Sequence, residues 1–78
     1  MTYNAVDSSM IDLVGYDEKS QLLEARFINS GITYRYFDVP KAEYEALMQS
    51  DSKGSYFHNH ILDFYDYEKV WGRRRGAR

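Results

Sequence analysis

Three arginines stand in a row at Arg73, Arg74 and Arg75, and two more, Arg26 and Arg35, sit inside stretches rich in aromatic and β-branched residues. Phe37 lies two residues past Arg35. Guanidinium groups interleaved with exposed rings suit single-stranded nucleic acid: the cation holds a phosphate while the ring stacks on a base. A second set of residues points to different chemistry. Phe37, Tyr65, Tyr67 and Trp71 are large rings in the second half of the chain, and such rings anchor protein–protein contacts where they stay at a surface. The sets share Phe37, so the face of the fold that carries it matters to both.

Other reactive chemistry finds little to work with. His58 and His60 are the only histidines and stand two apart in a helical pattern, so they face different ways and do not chelate as an i, i+4 pair would. Ser8 and Ser9 lie near Asp7 and Asp12, but no histidine follows within reach in the sequence, which makes turn or cap residues of these serines rather than nucleophiles. Gly15, Gly31 and Gly54 occur singly, so there is neither a phosphate-binding glycine loop nor a dinucleotide fingerprint. There is no cysteine, which removes disulfides and thiolate sites. The expectation is a protein that is not an enzyme, with no cofactor and no metal.

With 78 residues, a single domain is expected, close to the lower size at which one core suffices. Eight tyrosines, four phenylalanines and one tryptophan compensate for the short length, because each ring can bury about 150–250 Å². The start of the chain has neither a basic nor an apolar signal region, and no apolar run approaches the roughly 20 residues of a membrane span. A cytoplasmic protein without membrane contact is expected. The net charge of −2 is unevenly spread. Residues 1–67 carry five basic and eleven acidic side chains, whereas residues 68–78 carry five basic ones against Glu68. The division is therefore a domain over 1–67 and a basic, flexible tail over 68–78.

The elements that must position these side chains follow from periodicity. Residues 1–8 show none and read as a lead-in. "SMIDLVGYD" mixes apolar and polar residues without strict alternation, and "DEKS" supplies a turn. In "QLLEARFI", Leu23, Ala25 and Phe27 alternate with Glu24 and Arg26, a half-buried strand. "NSG" punctuates before "ITYRYFDVP", which ends at Pro40, a residue suited to opening a helix. Tyr44, Leu47 and Met48 then recur at helical spacing. Ser52 is a candidate cap for a second helix with a stripe of Tyr56, Phe57, His60, Ile61 and Phe64. The fold class is α+β: a three-stranded antiparallel meander followed by two helices packed on one sheet face, β-β-β-α-α.

A two-residue loop at Ser30-Gly31 would set Phe27 opposite Tyr34, Ala25 opposite Tyr36 and Arg26 opposite Arg35. Both tyrosines then join the inner face with Leu23, Ala25 and Phe27, while Arg26, Arg35 and Phe37 line an open outer face. The expected core is Leu23, Phe27, Tyr34, Tyr36, Leu47, Phe57, Ile61 and Phe64.

Taken in order, Ser8-Ser9, Gly15-Tyr16-Asp17, Phe27, Tyr34-Arg35-Tyr36, Val39-Pro40, Tyr44, Leu47, Ser52, Gly54, Tyr56-Phe57 and Ile61 resemble the KTSC domain. That short module occurs at the C-terminus of some lysyl-tRNA synthetases and as small stand-alone proteins. The resemblance covers residues 8 to about 65 and implies a compact domain for which RNA binding has been proposed, without established site residues. His58 replaces the asparagine common in relatives, and the tail from Trp71 lies outside the shared pattern. Two functions are therefore carried forward. One is a nucleic-acid-binding module, for RNA, using Arg26, Arg35, Phe37, Arg73, Arg74 and Arg75. The other is a protein-interaction or self-associating domain anchored by Phe37, Tyr65, Tyr67 and Trp71. Sequestration of a small nucleotide is a weaker third.

Overall fold

A computed structural model describes residues 1–70. The elements, in order, are β1 (Thr2–Ala5), β2 (Ile11–Asp17), β3 (Leu22–Phe27), β4 (Thr33–Tyr36), α1 (Lys41–Gln49), α2 (Lys53–His60) and β5 (Tyr67–Val70). All five strands form one antiparallel sheet in the order β1-β2-β3-β4-β5. The class is α+β with two helices, as expected, but the sheet has five strands rather than three. The two extra strands are its edges, four residues each and mostly exposed. Edge strands are held by backbone hydrogen bonds to one neighbour and have little to bury, so they leave no apolar pattern in the sequence. β5 also takes in residues 68–70, which the sequence reading gave to the tail. Trp71, Arg73, Arg74 and Arg75 lie outside the described residues.

The loop between β3 and β4 is longer than expected. Phe27 N–H donates to Ile32 O at 3.0 Å, Gly31 N–H donates to Phe27 O at 2.8 Å, and Gly31 adopts φ +71°. Residues 28–31 thus form a four-residue loop, and the strands slide by two positions relative to the expected register. Leu23 faces Tyr36, Glu24 faces Arg35, Ala25 faces Tyr34 and Arg26 faces Thr33. A slide of two keeps every side chain on its expected face, since side chains alternate with period two. It changes the partners, however. Arg26 and Arg35 are not opposed; each instead has a carboxylate within reach.

β2 explains its own irregular pattern. Ile11 pairs with Phe27 and Leu13 with Arg26, so Asp12 is the extra residue of a β-bulge. The bulge puts Ile11 and Val14, three apart, on the same inner face, where both are fully buried.

Pro40 precedes α1 with extended backbone, and Ser52 caps α2 by accepting the Ser55 N–H at 3.3 Å. The core comprises Ile11, Val14, Leu23, Ala25, Tyr36, Val39, Leu47, Phe57 and Ile61. Phe57 is its centre, edge-on to Phe27 at 5.7 Å and to Tyr36 at 5.2 Å. On the β1–β2 side, Tyr16 stacks on Tyr44 of α1 at 4.6 Å and donates to Val39 O at 2.6 Å. Phe27 and Tyr34, expected in the core, pack against it while half-buried. Phe64 is not a core residue: it is 67% exposed. α2 stops at His60, so the turn over 61–64 carries Phe64 off the helical stripe. His60, read as part of the same apolar stripe, is exposed and stacks on Tyr56 at 4.3 Å. Among the described residues no helix is long and apolar enough to cross a membrane.

Carboxylates accept from several of these phenols. Glu43 of α1 accepts from the hydroxyls of Tyr56 and Tyr65. The Glu43 bond pushes Tyr56 up to about 12, and burial aided by Glu24 pushes Tyr3 up to about 12. Burial also raises Tyr16, Tyr36 and Tyr65. The folded chain thus holds these protons more tightly than the unfolded one. Their stabilisation is fully present below the ordinary tyrosine pKa of about 10 and is lost as pH rises through the folded values. A tyrosinate absorbance titration should show ionisation delayed above pH 10 and then steep, together with loss of ellipticity. Simple titration near pH 10 with the fold intact would contradict it.

Candidate functional site

The outer face of the sheet is a polar row. Tyr3, Gly15, Glu24, Arg35 and Glu68 stand side by side across all five strands. Gly15 has no side chain, so the Tyr3 ring lies over it and reaches Glu24, to whose Oε1 its hydroxyl donates at 2.5 Å. Glu24 Oε2 accepts from Arg35 Nε at 2.8 Å, and Arg35 Nη1 donates to Glu68 Oε2 at 3.1 Å. Under this cover Glu24 is only 3% exposed, although it lies on the face without helices. Beside the row, Arg26 grips Asp12 in a two-point contact of 2.9 and 3.3 Å. These bonds raise both guanidinium pKa values and, through its bond to Arg26, hold Asp12 below the usual carboxylate range.

An added methyl group at Gly15 tests the row. A Cβ there would sit 2.6 Å from Cδ2 and Cε2 of Tyr3. Gly15→Ala should therefore displace Tyr3 from Glu24 and loosen β1. Amide exchange of residues 2–5 should accelerate while the β3–β4 amides stay protected. Unchanged exchange at β1 would show that Tyr3 yields without losing its bond.

Phe37 lies one residue past β4, half-buried, with its N–H donating to Asp66 O at 2.9 Å. The structure therefore does not join Arg26, Arg35 and Phe37 into an unpaired basic surface. The proposed partner anchors are separated as well. Tyr65 is half-buried with its hydroxyl on Glu43 of α1, while Tyr67 is exposed at the start of β5 and meets Tyr34 and Tyr36.

Tyr67 belongs instead to a cleft on the inner face, at the β4–β5 end of the sheet. The cleft has a volume of about 390 Å³, with Phe27, Tyr34, Tyr36 and Tyr67 as its rings and Met10 and Leu62 among its apolar neighbours. Tyr67 meets Tyr34 edge-on at 5.6 Å and lies tilted against Tyr36 at 5.5 Å, while Phe27 meets Tyr34 edge-on at 5.5 Å. Asn29, Ser30 and Asp63 supply the polar lining. Tyr36 is 1% exposed, and among the described residues no hydrogen bond to its hydroxyl is found. A buried phenol of this kind normally has a partner. Tyr34 and Tyr36 were legible as inner-face residues. Their conjunction with Tyr67 was not, because it depends on β5, and "YEKV" has no alternation of apolar and polar residues to mark a strand.

A second hollow, of about 360 Å³, is polar and gathers Ser8, Ser9, Ser52, Lys53, Gly54 and His58. Ser8 Oγ accepts the Met10 N–H at 3.1 Å, the turn role expected for it. A Cβ on Gly54 would meet that oxygen at 2.8 Å, so glycine lets α2 approach the turn.

The chain is thus a small α+β domain with two helices on one side of a five-stranded antiparallel sheet and an aromatic cleft beside its β5 edge. It belongs to the KTSC domain family, whose model matches residues 7–68. It is 43% identical over 53 residues to an uncharacterized protein of Stutzerimonas stutzeri, covering 68% of this chain and 73% of that one. It is 38% identical over 64 residues to a lysine–tRNA ligase of Trichormus variabilis, covering 82% of this chain but spanning only 11% of the ligase. The crystal structure of a KTSC domain protein from Yersinia pestis superposes with a TM-score of 0.86 at 33% identity, covering 90% of this chain and 97% of that one.

Proposed function

We propose that this chain is a non-catalytic interaction module whose recognition surface is the aromatic cleft over Tyr34 and Tyr36. The observation that carries this reading is the grouping of Phe27, Tyr34 and Tyr67 in one cleft with Tyr36, a buried phenol that has no hydrogen-bond partner among the described residues. A concave, largely apolar site with a few polar groups is the usual form of a ligand pocket, and roughly 300–1,000 Å³ is its usual size. Tyr67, at 57% exposed, is the accessible wall. Selection from a random-peptide display library against the full chain tests the reading. Selected peptides should shift the amide signals of Phe27, Tyr34, Leu62 and Tyr67, and Tyr67→Ala should abolish their binding. Peptides that instead shift Arg26 and Arg35, or that bind Tyr67→Ala equally well, would overturn it.

The RNA reading keeps one specific support, the likeness to lysine–tRNA ligases, which by their name act on a tRNA. Arg26 and Arg35 already bond to carboxylates, so the phosphate contacts in this reading fall to Arg73, Arg74 and Arg75. Three contacts on a single strand give a slope of log affinity against log salt of about −2. Filter binding at several salt concentrations should give that slope, and Arg73→Gln/Arg74→Gln/Arg75→Gln should flatten it to near zero. No retention at low salt would remove this reading.

A further inference from the structure

The charge of the cleft selects among ligands. Among the described residues that line it, the one ionic group is the Asp63 carboxylate. Ring faces carry negative electrostatic potential and attract a cation lying over them. The hydroxyl of Tyr36 and the side-chain oxygens of Asn29, Ser30 and Asp63 add acceptors, which suit a donor-rich ligand head. Burial chiefly, and then the neighbouring Tyr67, Tyr34 and Asp63, hold the Tyr36 phenol protonated far above the ordinary range, so the carboxylate is felt inside the cleft. A phosphate would meet Asp63 there, with no cationic lining residue among the described residues to offset the repulsion. Lys69 stands opposite Tyr34 on β5 but does not line the cleft.

Resting on the cleft-binding reading above, we infer that the cleft receives the cationic head of an arginine or lysine from a basic peptide segment of a protein partner. The guanidinium or ammonium lies over the rings of Tyr34 and Tyr67, while Asp63, Asn29 and the Tyr36 hydroxyl accept its N–H groups. The aliphatic stem packs on Leu62 and Met10, as long charged side chains do on apolar surface. Charge complementarity decides the class: a cation gains from the rings and from Asp63 together, whereas a neutral chain gains from the apolar wall alone.

The test titrates isotopically labelled full chain with the capped tripeptide Gly-Arg-Gly, its citrulline counterpart and adenosine monophosphate. Citrulline keeps the shape of arginine and removes its charge. The arginine peptide should shift the signals of Phe27, Tyr34, Leu62 and Tyr67 in a saturable manner, with the citrulline peptide roughly three- to thirty-fold weaker. Asp63→Asn should narrow that difference, and Tyr67→Ala, at an exposed position, should remove binding without unfolding the domain. Repeating the titration in Arg73→Gln/Arg74→Gln/Arg75→Gln keeps the chain's own arginines from competing, and the arginine preference should persist there. Equal binding of the two peptides, or a preference for the nucleotide, would overturn the cation assignment while leaving the cleft as a binding site. Failure of every peptide, including those from display, to reach the cleft would overturn both.

Discussion

Phe57→Ala should lower the unfolding free energy by about 3–5 kcal/mol, the usual cost of deleting a buried ring and leaving its cavity. Phe57 is fully buried and is the one α2 ring that meets both β3, through Phe27, and β4, through Tyr36. Its loss separates the helix from the sheet at the point where they are joined. In a domain of this length each kcal/mol moves the melting temperature by roughly 4–8 °C, so the midpoint should fall by more than about 12 °C. Phe57→Leu keeps much of the volume and should cost about 1.5 kcal/mol or less. Thermal melts followed by circular dichroism decide the matter. A midpoint for Phe57→Ala within a few degrees of the parent would mean that α2 is not held through this ring. Tyr67→Ala, outside that core, should move the midpoint little.

Arg35→Ala should be the next most damaging change, by about 2–4 kcal/mol. It removes the cation from Glu24 and leaves a carboxylate covered by Tyr3 with one phenolic donor in place of two charge-assisted partners. Breaking a fully buried pair this way costs about 3–5 kcal/mol; the figure is reduced here because the Arg35 side chain is 33% exposed. The mechanism can be separated from lost packing. Glu24→Gln/Arg35→Met replaces both charges with groups of similar size and should recover most of the loss, a coupling that a double-mutant cycle reads directly. Arg35→Lys should fall between, since an ammonium lacks the fork that reaches Glu24 through Nε and Glu68 through Nη1. If the double variant is as unstable as Arg35→Ala alone, an unpaired Glu24 is not the cause. The same experiment bears on function. An arginine needed to hold its own sheet together is poorly placed to leave for a phosphate.

Much of this protein follows from local pattern. Alternation in "LLEARF" determined β3 and its faces, and the spacing of Tyr44, Leu47, Tyr56, Phe57 and Ile61 determined two helices and their contribution to the core, Leu47, Phe57 and Ile61. Ser52 was legible as a cap because the first N–H groups of a helix need an acceptor. The ordered motif from Ser8 to Ile61 determined the family. What the sequence left open depended on partners distant in the chain. Whether Arg35 met Arg26 or Glu24 turned on a four-residue loop closed by Gly31, and loop length is weakly encoded when several polar residues can form the turn. The bulge at Asp12 broke the alternation of β2, so that strand was legible from its flanking turn but the face of Ile11 relative to Val14 was not. β1 and β5 were invisible because an edge strand gains its stability from a neighbour's backbone, which carries no side-chain signature. The cleft depends on that last fact. Tyr34 and Tyr36 were already on the inner face by alternation, but only the pairing of β5 with β4 brings Tyr67 against them, and only the turn after α2 brings Leu62 and Asp63 across.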